Sequence, residues 1–190
     1  RVRTSVTTRS PLIARDIDLL KEIRLVAVNI SIHTLDLRLT RTLEPGAPAP
    51  AARLKTLEKL AAAGLPAGVF AAPILPLLTD SEPSLDALYA AVKAHGAAFA
   101  WGSLLRLAPD VKMWYYRTLE AHFPILIPYY VKLYKDANAE ASYAEKIGRL
   151  LRELAERHNL PAGTPERKDA NAAGAACAAP QPEQLAFHFA

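Results

Sequence analysis

The sequence predicts an α/β fold, a partial parallel β/α barrel of four visible βα units that is incomplete at its N-terminus and is followed by C-terminal helices and a disordered tail. Two observations lead to this prediction. Four short strand-like segments alternate with helical segments of three or four turns, which is the pattern of a parallel sheet with crossover helices. The second of these strands, residues 25–33, turns polar at its C-terminal end, where β/α barrels bind ligands. Four strands are too few to close a barrel, so we expect a partial one.

The first βα unit begins inside a strand. Residues 2–9 alternate apolar or threonine side chains with polar ones, as a half-buried strand does. Ser10 and Pro11 then provide an N-cap and a first-turn proline for a helix. The apolar stripe of that helix consists of Ile13, Ile17 and Leu20. Because the chain opens with an arginine in mid-strand, we expect that a preceding segment is missing.

The second unit is the one around which the chain is organised. One face of the strand over residues 25–33 is apolar and consists of Val26, Val28, Ile30 and Ile32. The other face carries Asn29, Ser31 and His33. A buried parallel strand is usually apolar on both faces, so the polar face predicts a polar ligand. A short helical pattern follows and stops at Glu44-Pro45-Gly46, since proline and glycine interrupt helices.

The remaining two units repeat the pattern. A helix over residues 50–63 ends at Gly64, and a strand over residues 67–72 runs into a loop marked by prolines. A helix between Ser81 and Gly96 and a strand over residues 97–105 complete the fourth unit.

After residue 109 the pattern is helical only. We expect Asp110 to cap a helix that runs to His122, and a second helix to cover residues 124–135. Ser142 and Glu145 have the spacing of a capping box for a long third helix. The aromatic side chains are expected to pack in the core and between helices, and they are Trp101, Trp114, Tyr115 and Tyr116.

These patterns divide the chain into residues 1–109, the partial barrel, residues 110–160, a helical extension, and residues 161–190, a disordered Ala/Pro-rich tail with a short apolar terminus. That terminus resembles a peptide that binds the bacterial sliding clamp. The residues that carry this resemblance are Gln184, Leu185, Phe187 and Phe189. The alternative is an apolar chain end without a partner.

Composition sets limits without naming a function. Half the residues are apolar (51%), which is enough for a globular core. The net charge of +4 arises within residues 1–41, so an anionic ligand or nucleic acid is one interpretation and a soluble protein with a basic edge is the other. The single cysteine, Cys177, has no disulfide partner, and no metal site is expected in this chain. No signal peptide and no membrane-length apolar run is present, so we expect a cytoplasmic protein.

Several segments in this order resemble the second half of a radical S-adenosylmethionine domain. They are Thr7-Thr8-Arg9-Ser10, the strand end NISIHTLD, the segment LEPGAPAPAARL and the loop APILPLLTD. The branch they resemble most is the one related to spore photoproduct lyase, and the resemblance covers roughly residues 2–160.

The resemblance implies a barrel that holds S-adenosylmethionine and a 4Fe-4S cluster, which cleaves the cofactor to a 5′-deoxyadenosyl radical for hydrogen abstraction. The substrate is unknown, and kinship with spore photoproduct lyase suggests nucleic acid. The family binds its cluster through three cysteines in a CxxxCxxC motif, which this sequence lacks. This chain is therefore expected to bind the organic part of the cofactor, the cluster to belong to the full-length parent only, and the chain alone to be inactive with no catalytic residue of its own.

The same resemblance suggests roles for individual residues. Arg9 stands where relatives have a lysine near the cofactor's carboxylate, and Ser31 matches a strand-end serine that hydrogen-bonds the cofactor. Leu75 takes the place of an isoleucine that packs against adenine. Asn29 and His33 share the polar face with Ser31 and complete the candidate cofactor-binding set.

Arg106 follows the fourth strand and is the candidate for the substrate side. Each candidate has a structural alternative. Arg9 and Arg106 would be rim arginines paired with carboxylates, Ser31 and Asn29 would satisfy a buried network, and His33 would be a hydrogen-bonded loop histidine. Two other functions also stay open for the chain: a non-catalytic cofactor-binding or interaction module that needs a partner, and an unrelated phosphate-binding β/α barrel enzyme.

Overall fold

The computed structural model describes residues 2–163, and its sheet confirms the predicted α/β partial barrel. Its four strands are β1 (Arg3–Thr8), β2 (Arg24–Ser31), β3 (Ala67–Ile74) and β4 (Ala100–Leu104). They lie in the order β1-β2-β3-β4, and every neighbouring pair is parallel. The C-terminal ends of all four strands therefore meet at one edge of the sheet.

Helices connect the strands. Strands β1 and β2 are joined by a 3-10 helix (Pro11–Asp16) and α1 (Ile17–Glu22). Strands β2 and β3 are joined by α2 (Leu37–Leu43) and α3 (Pro50–Ala62), and β3 and β4 by α4 (Glu82–Ala94). Beyond β4 lie α5 (Pro109–His122), a 3-10 turn (Pro124–Leu126), α6 (Ile127–Leu133) and α7 (Ala141–Arg157). The predicted N-cap at Ser10 is confirmed, since its hydroxyl accepts a hydrogen bond from the Leu12 N–H.

The main core lies between the sheet and the helices on one of its faces. Val28, Ile30 and Ile32 are at most 1% exposed and pack in one cluster with the leucines of α3 and α4. This confirms the apolar face predicted for β2 at these three residues. Val26, the fourth predicted member, is only partly buried and lies outside the cluster, because the register with β1 shifts at this position. Helix α7 joins the same core through Leu151 and Leu154.

A second, smaller core fixes α5 and α6 over the C-terminal ends of β3 and β4. Leu75 and Leu105 pack there with Leu119 of α5 and with Tyr130 and Tyr134. The Tyr130 hydroxyl donates to the Pro76 carbonyl (2.7 Å), and the Tyr134 hydroxyl donates to the Leu105 carbonyl (2.8 Å). The helical extension therefore forms a wall at the edge where the strands end.

Two predicted helix caps are wrong. Helix α5 begins at Pro109 with Ala108 at the N-cap, so Asp110 lies in the first turn, where its carboxylate interacts favourably with the helix dipole instead of capping. Helix α7 has Glu140 at its N-cap position and no side-chain cap hydrogen bond. The Ser142 hydroxyl donates to the Glu140 carboxylate (3.1 Å), so the predicted capping box does not form.

Four further outcomes concern β4, Trp114, the described helices and the tail. Strand β4 is shorter than the predicted strand over residues 97–105. Trp114 is 69% exposed and so is not a core residue. None of the described helices is long and apolar enough to cross a membrane. The tail from residue 164 onward lies outside the described residues, and so do the residues of the clamp-binding prediction, which are Gln184, Leu185, Phe187 and Phe189.

Candidate functional site

The predicted site residues that follow the four strands lie at the same edge of the sheet. Arg9 follows β1, His33 follows β2, Leu75 follows β3 and Arg106 follows β4. Because the strands are parallel and adjacent, their ends can contribute to one ligand site.

Arg53 is the buried centre of this edge, with a relative exposure of 1%. Its Nε donates to the Pro48 carbonyl (2.8 Å), its Nη1 to the Ser31 carbonyl (3.0 Å) and its Nη2 to Oε2 of Glu44 (2.6 Å). Arg53 lies in the first turns of α3, and its guanidinium reaches back to the end of β2. One side chain therefore fixes the end of the strand and the segment between α2 and α3.

Glu44 also binds a second arginine. Arg9 Nη1 donates to Oε1 of Glu44 at 2.9 Å, while 56% of the Arg9 side chain stays exposed. Burial alone would raise the pKa of Glu44, but the hydrogen bond from Arg53 and the charges of His33, Arg53 and Arg9 hold this pKa below its ordinary value. We call Arg9, Glu44 and Arg53 the arginine–glutamate network. Two guanidinium groups and one carboxylate leave it with one positive charge, which favours an anionic group such as a carboxylate.

His33 is 3% exposed, and its Nδ1 lies 3.9 Å from Oε1 of Glu44. Burial lowers the pKa of His33; the Glu44 carboxylate acts in the opposite direction, and Arg53 and Arg9 lower the pKa further. The neutral imidazole is therefore favoured. Its Nε2 is buried without a hydrogen-bond partner among residues 2–163. An unsatisfied buried polar atom costs about 1–3 kcal/mol, so this nitrogen needs a partner from a ligand or from water.

A cavity of about 160 Å³, which we call the edge cavity, opens beside His33. Its apolar lining consists of Leu43, Pro73, Leu75, Leu105 and the Tyr115 ring, and its polar lining of His33, Glu44 and Thr118. A single water needs only about 10–15 Å³ of such space. The edge cavity therefore has room for more than a single water.

Ser31 and Asn29 lie on the face of β2 opposite to Val28 and Ile30, where Asn29 is buried (2% exposed) and Ser31 is half-buried. The Ser31 hydroxyl donates to the Ala72 carbonyl (3.0 Å). The Asn29 side-chain amide donates to Ser5 Oγ (3.2 Å) and Thr7 Oγ1 (3.3 Å), and its oxygen accepts from Trp101 Nε1 (3.3 Å). Both side chains thus have partners within the sheet.

The structure brings the predicted residues together only in part. His33 and Leu75 line the edge cavity, and Arg9 reaches its wall through Glu44. Ser31 and Asn29 lie on the adjoining face of the sheet, outside the cavity lining. Arg106 is exposed and does not line the cavity. Their roles toward a cofactor stay predictions.

Sequence reasoning missed the central arginine. Arg53 lies four and seven residues before Leu57 and Leu60, which are fully buried, so it belongs to the buried stripe of α3. An arginine in such a stripe signals a buried ion pair, because charges are almost never buried unpaired. Tyr115 and Thr118 gave no comparable signal, since α5 reaches the cavity through long-range packing alone.

Residues 1–88 match the family model of the radical SAM superfamily. An uncharacterized protein of Mycobacterium tuberculosis strain H37Rv is 36% identical over 134 residues, which are 69% of this chain and 39% of that protein. An uncharacterized protein of Acidianus two-tailed virus is 29% identical over 163 residues, which are 84% of this chain and 50% of that protein. The chain thus spans at most half the length of these relatives.

Solved structures of spore photoproduct lyase are similar to this fold. A mutant of that enzyme with bound AdoMet and dinucleoside spore photoproduct aligns with a TM-score of 0.61 and 18% identity, over 82% of this chain and 48% of that one. A second mutant, with dinucleoside spore photoproduct, also gives 0.61 at 17% identity and the same coverage. At this identity the likeness shows the fold alone: the matched part of the chain has the partial parallel β/α barrel of these structures.

Proposed function

We propose, from the match of residues 1–88 to the radical SAM family model, that this chain is the part of a radical SAM enzyme that binds the organic part of S-adenosylmethionine. When bound with a 4Fe-4S cluster, this cofactor supplies a radical that removes hydrogen from a substrate. The sequence holds one cysteine, Cys177, so we assign the three cluster cysteines to a segment outside these 190 residues. The activity of the whole enzyme is part of the proposal.

The observation that carries the proposal is a surplus positive charge next to an apolar cavity. The exposed guanidinium of Arg9 would receive the cofactor's carboxylate, with Glu44 holding it in place at 2.9 Å. Leu75 and Leu105 supply apolar walls for the adenine ring within the edge cavity. His33 adds an unsatisfied polar atom beside them. The residues present therefore fit both ends of the cofactor.

Ser31 would serve the same ligand from the opposite face of β2, and the buried Asn29 would act through its neighbours. The Ser31 hydroxyl hydrogen is used by the Ala72 carbonyl, so its oxygen is left to accept a hydrogen bond. Asn29 holds Ser5 and Thr7 of β1 in register, and we propose that it positions the strand that ends at Arg9.

Calorimetric titration with S-adenosylhomocysteine tests this proposal without requiring turnover. We expect the full chain to bind it, and Arg9→Ala to weaken binding roughly tenfold to hundredfold, the effect of losing a hydrogen bond to a charged group. Ser31→Ala should weaken it several-fold. Arg15→Ala is the matched control, because the Arg15 side chain is 74% exposed and its ion pair within residues 2–163 is with the neighbouring Asp16. Absence of binding by the unmodified chain would refute the proposed function, and equal effects of the two arginine variants would refute the role of Arg9.

We also propose nucleic acid as the substrate class. The support is an exposed aromatic and basic surface on α5: Trp114 is 69% exposed, and the Arg117 guanidinium lies 5.4 Å from its ring centroid. Exposed aromatic rings stack on bases, and arginine adds charge attraction to phosphate. Arg106 is exposed nearby in sequence, on the exit of β4. Fluorescence anisotropy with a labelled single-stranded oligonucleotide should show weaker binding for Trp114→Ala and Arg106→Ala than for Arg15→Ala; equal affinities would contradict the proposal.

A further inference from the structure

We propose that residues 184–189 dock on the outer edge of β4, beside α7 of the same chain, and extend the sheet there as an additional strand. This proposal does not depend on the proposed cofactor function. It starts from a strand edge and a groove in the described part of the chain, and from the spacing of apolar residues in the sequence that follows it.

The pairing on the outer side of β4 begins at a single residue. Strand β4 pairs with β3 on one side. On the other side, residues 2–163 supply one isolated bridge, in which Ala100 and Ala162 are parallel. The Ala100 N–H donates to the Pro161 carbonyl (3.1 Å), and the Gly163 N–H donates to the Ala100 carbonyl (3.4 Å). The described chain therefore ends where a new strand has just started to pair with β4.

The residues that directly follow Gly163 cannot continue this pairing. Alternate residues of a strand bond to the same neighbour, so Gly102 and Leu104 turn their backbone groups to the same side as Ala100. In the register of the bridge, residue 165 would donate to the Gly102 carbonyl. That residue is Pro165, which has no N–H. An open strand edge invites pairing with other chains, so the edge from Gly102 to Leu104 calls for a partner from elsewhere in the sequence.

A groove of about 210 Å³ lies along this edge and has room for such a partner. Tyr89 and Leu151 give it apolar walls, while Gly102 and Gly148 contribute no side chains. The space above Gly148 is open, since a Cβ built there would have Arg152 Nη1 as its nearest neighbour at 3.6 Å. Neighbouring strands lie about 4.7–4.9 Å apart, and a wall without bulky side chains lets another backbone approach β4 that closely.

The sequence after residue 163 contains one segment that suits this groove. Its bulky apolar residues are Leu185, Phe187 and Phe189, whereas residues 164–183 contain none. The spacing of two places all three side chains on one face of a strand. On the edge of β4 that face would pack against Tyr89 and Leu151. The clamp-binding prediction uses the same segment, so the two kinds of binding would exclude each other.

The connecting sequence is long enough to bring the segment back. Gly163 itself lines the groove, and residues 164–183 provide a linker of 20 residues. A random coil of that length has an r.m.s. span of roughly 25 Å. Such a tether gives an effective concentration on the order of millimolar, which favours docking within one chain over docking on a second copy. The charges also match, since Glu183 precedes the segment and Arg152 lines the groove.

A nitroxide label on the segment tests the proposal by nuclear magnetic resonance. The single cysteine is removed by Cys177→Ser, and His188→Cys introduces the labelling position on the face opposite to Phe187. We expect the label to broaden the amide signals of Gly102 and Gly148. Phe187→Asp should abolish this broadening. Ala186→Asp is the matched control, because it adds the same charge on the other face and should keep the broadening.

Hydrogen exchange of β4 gives a second measurement that needs no label. The amides of Gly102 and Leu104 should exchange at least roughly tenfold more slowly in the unmodified chain than in Phe187→Asp. Gly148→Leu changes the groove instead of the segment: leucine fills the open space and favours the helix of α7. It should speed the exchange of both amides to the same extent as Phe187→Asp.

A mixed sample separates docking within one chain from docking between chains. Labelled chains without isotope enrichment are combined with unlabelled, isotope-enriched chains. Broadening at Gly102 in this mixture would show that the segment binds a second copy, which overturns the proposal. Absence of broadening in the doubly substituted chain itself would overturn it as well. Equal effects of Phe187→Asp and Ala186→Asp would show that the apolar face of the segment does not hold it on β4.

Discussion

The guanidinium of Arg53 and the carboxylate of Glu44 lie 2.6 Å apart at the C-terminal end of β2, although the two residues are nine positions apart in the chain. Arg53 also holds the carbonyl oxygen of Ser31, the last residue of the strand. The segment from Glu44 to the start of α3 is therefore fastened to β2 by a single buried side chain. Any ligand that contacts Arg9 or the edge cavity depends on this pair for the position of its contacts.

Replacing Arg53 should destabilise the fold. Arg53→Met keeps an unbranched side chain of similar length but leaves the Glu44 carboxylate and two carbonyl groups without their donor. Breaking a buried ion pair from one side costs about 3–5 kcal/mol, and we expect a loss near the lower value because Arg9 still neutralises Glu44. Urea unfolding measures it. Arg15→Met, an exposed control, should change stability by less than about 0.5 kcal/mol; similar values for the two variants would contradict the role given to Arg53.

Acidification should destabilise the protein in two successive steps. The folded state holds the pKa of His33 below its ordinary value of 6.5, so below that pH the unfolded chain binds a proton that the folded chain resists. The pKa of Glu44 is held below 4.5, so its contribution is present above that pH and is lost as the pH falls through the folded value. Both groups therefore lower the free energy of unfolding as the pH drops.

His33→Gln isolates the first step, because glutamine does not titrate. Urea midpoints measured between about pH 7.5 and about pH 5 should fall for the unmodified chain and change less for this variant. His122→Gln, at an exposed position, should keep the slope of the unmodified chain. A slope that survives in His33→Gln would place the titrating group elsewhere.

The sheet could be predicted from the sequence because its signals are local. Period-two alternation fixed the apolar face of β2, and Gly64 marked the end of α3 at a positive φ of 77°. The predicted N-caps at Asp110 and Ser142 were wrong because each residue lies inside the helix, one position after its first residue. Capping motifs specify a start only when the chain enters the helix there, which depends on the preceding loop.

The site was harder to predict because its contacts cross the chain. Arg9 and Glu44 are 35 positions apart, and α5 reaches the edge cavity through Tyr115 and Thr118. The alternation of β1 and β2 placed Asn29 on the correct face, but only the structure shows its hydrogen bonds to Ser5 and Thr7.

Gly68 of β3 should tolerate no side chain. A Cβ built on it would lie 2.4 Å from Cε2 of the Phe99 ring and 2.5 Å from the Phe99 carbonyl oxygen. The backbone atom cannot rotate away, so Gly68→Ala should cost about 1–3 kcal/mol through overpacking. Gly148→Ala is the control, because its nearest neighbour would be 3.6 Å away and alanine favours the α7 helix. Thermal unfolding should show opposite shifts for the two variants; a stable Gly68→Ala protein would mean that Phe99 adopts another position.

The chain should bind no iron–sulfur cluster on its own. Its one cysteine, Cys177, cannot supply the three thiolates that such a cluster needs, and no group of three potential metal ligands lies together in residues 2–163. After anaerobic reconstitution with iron and sulfide, we expect no stoichiometric iron and no charge-transfer absorbance. Cys177→Ala should behave identically. A reproducible four-iron centre would refute the proposal that the cluster ligands lie outside these 190 residues.

The free edge of β1 should make the isolated chain prone to association. Within the described residues β1 pairs with β2 alone, and its exposed residues include Ser5 and Thr7. A parallel edge strand presents unpaired backbone groups to other chains, and lysine on such an edge blocks pairing. Light scattering should therefore rise with protein concentration and should fall for Thr7→Lys. Thr42→Lys carries the same charge change at a partly exposed position of α2, away from β1, and should leave scattering unchanged, which separates an edge effect from a net-charge effect. A monomeric chain with one cooperative thermal transition at all concentrations would show that something within the chain already covers this edge.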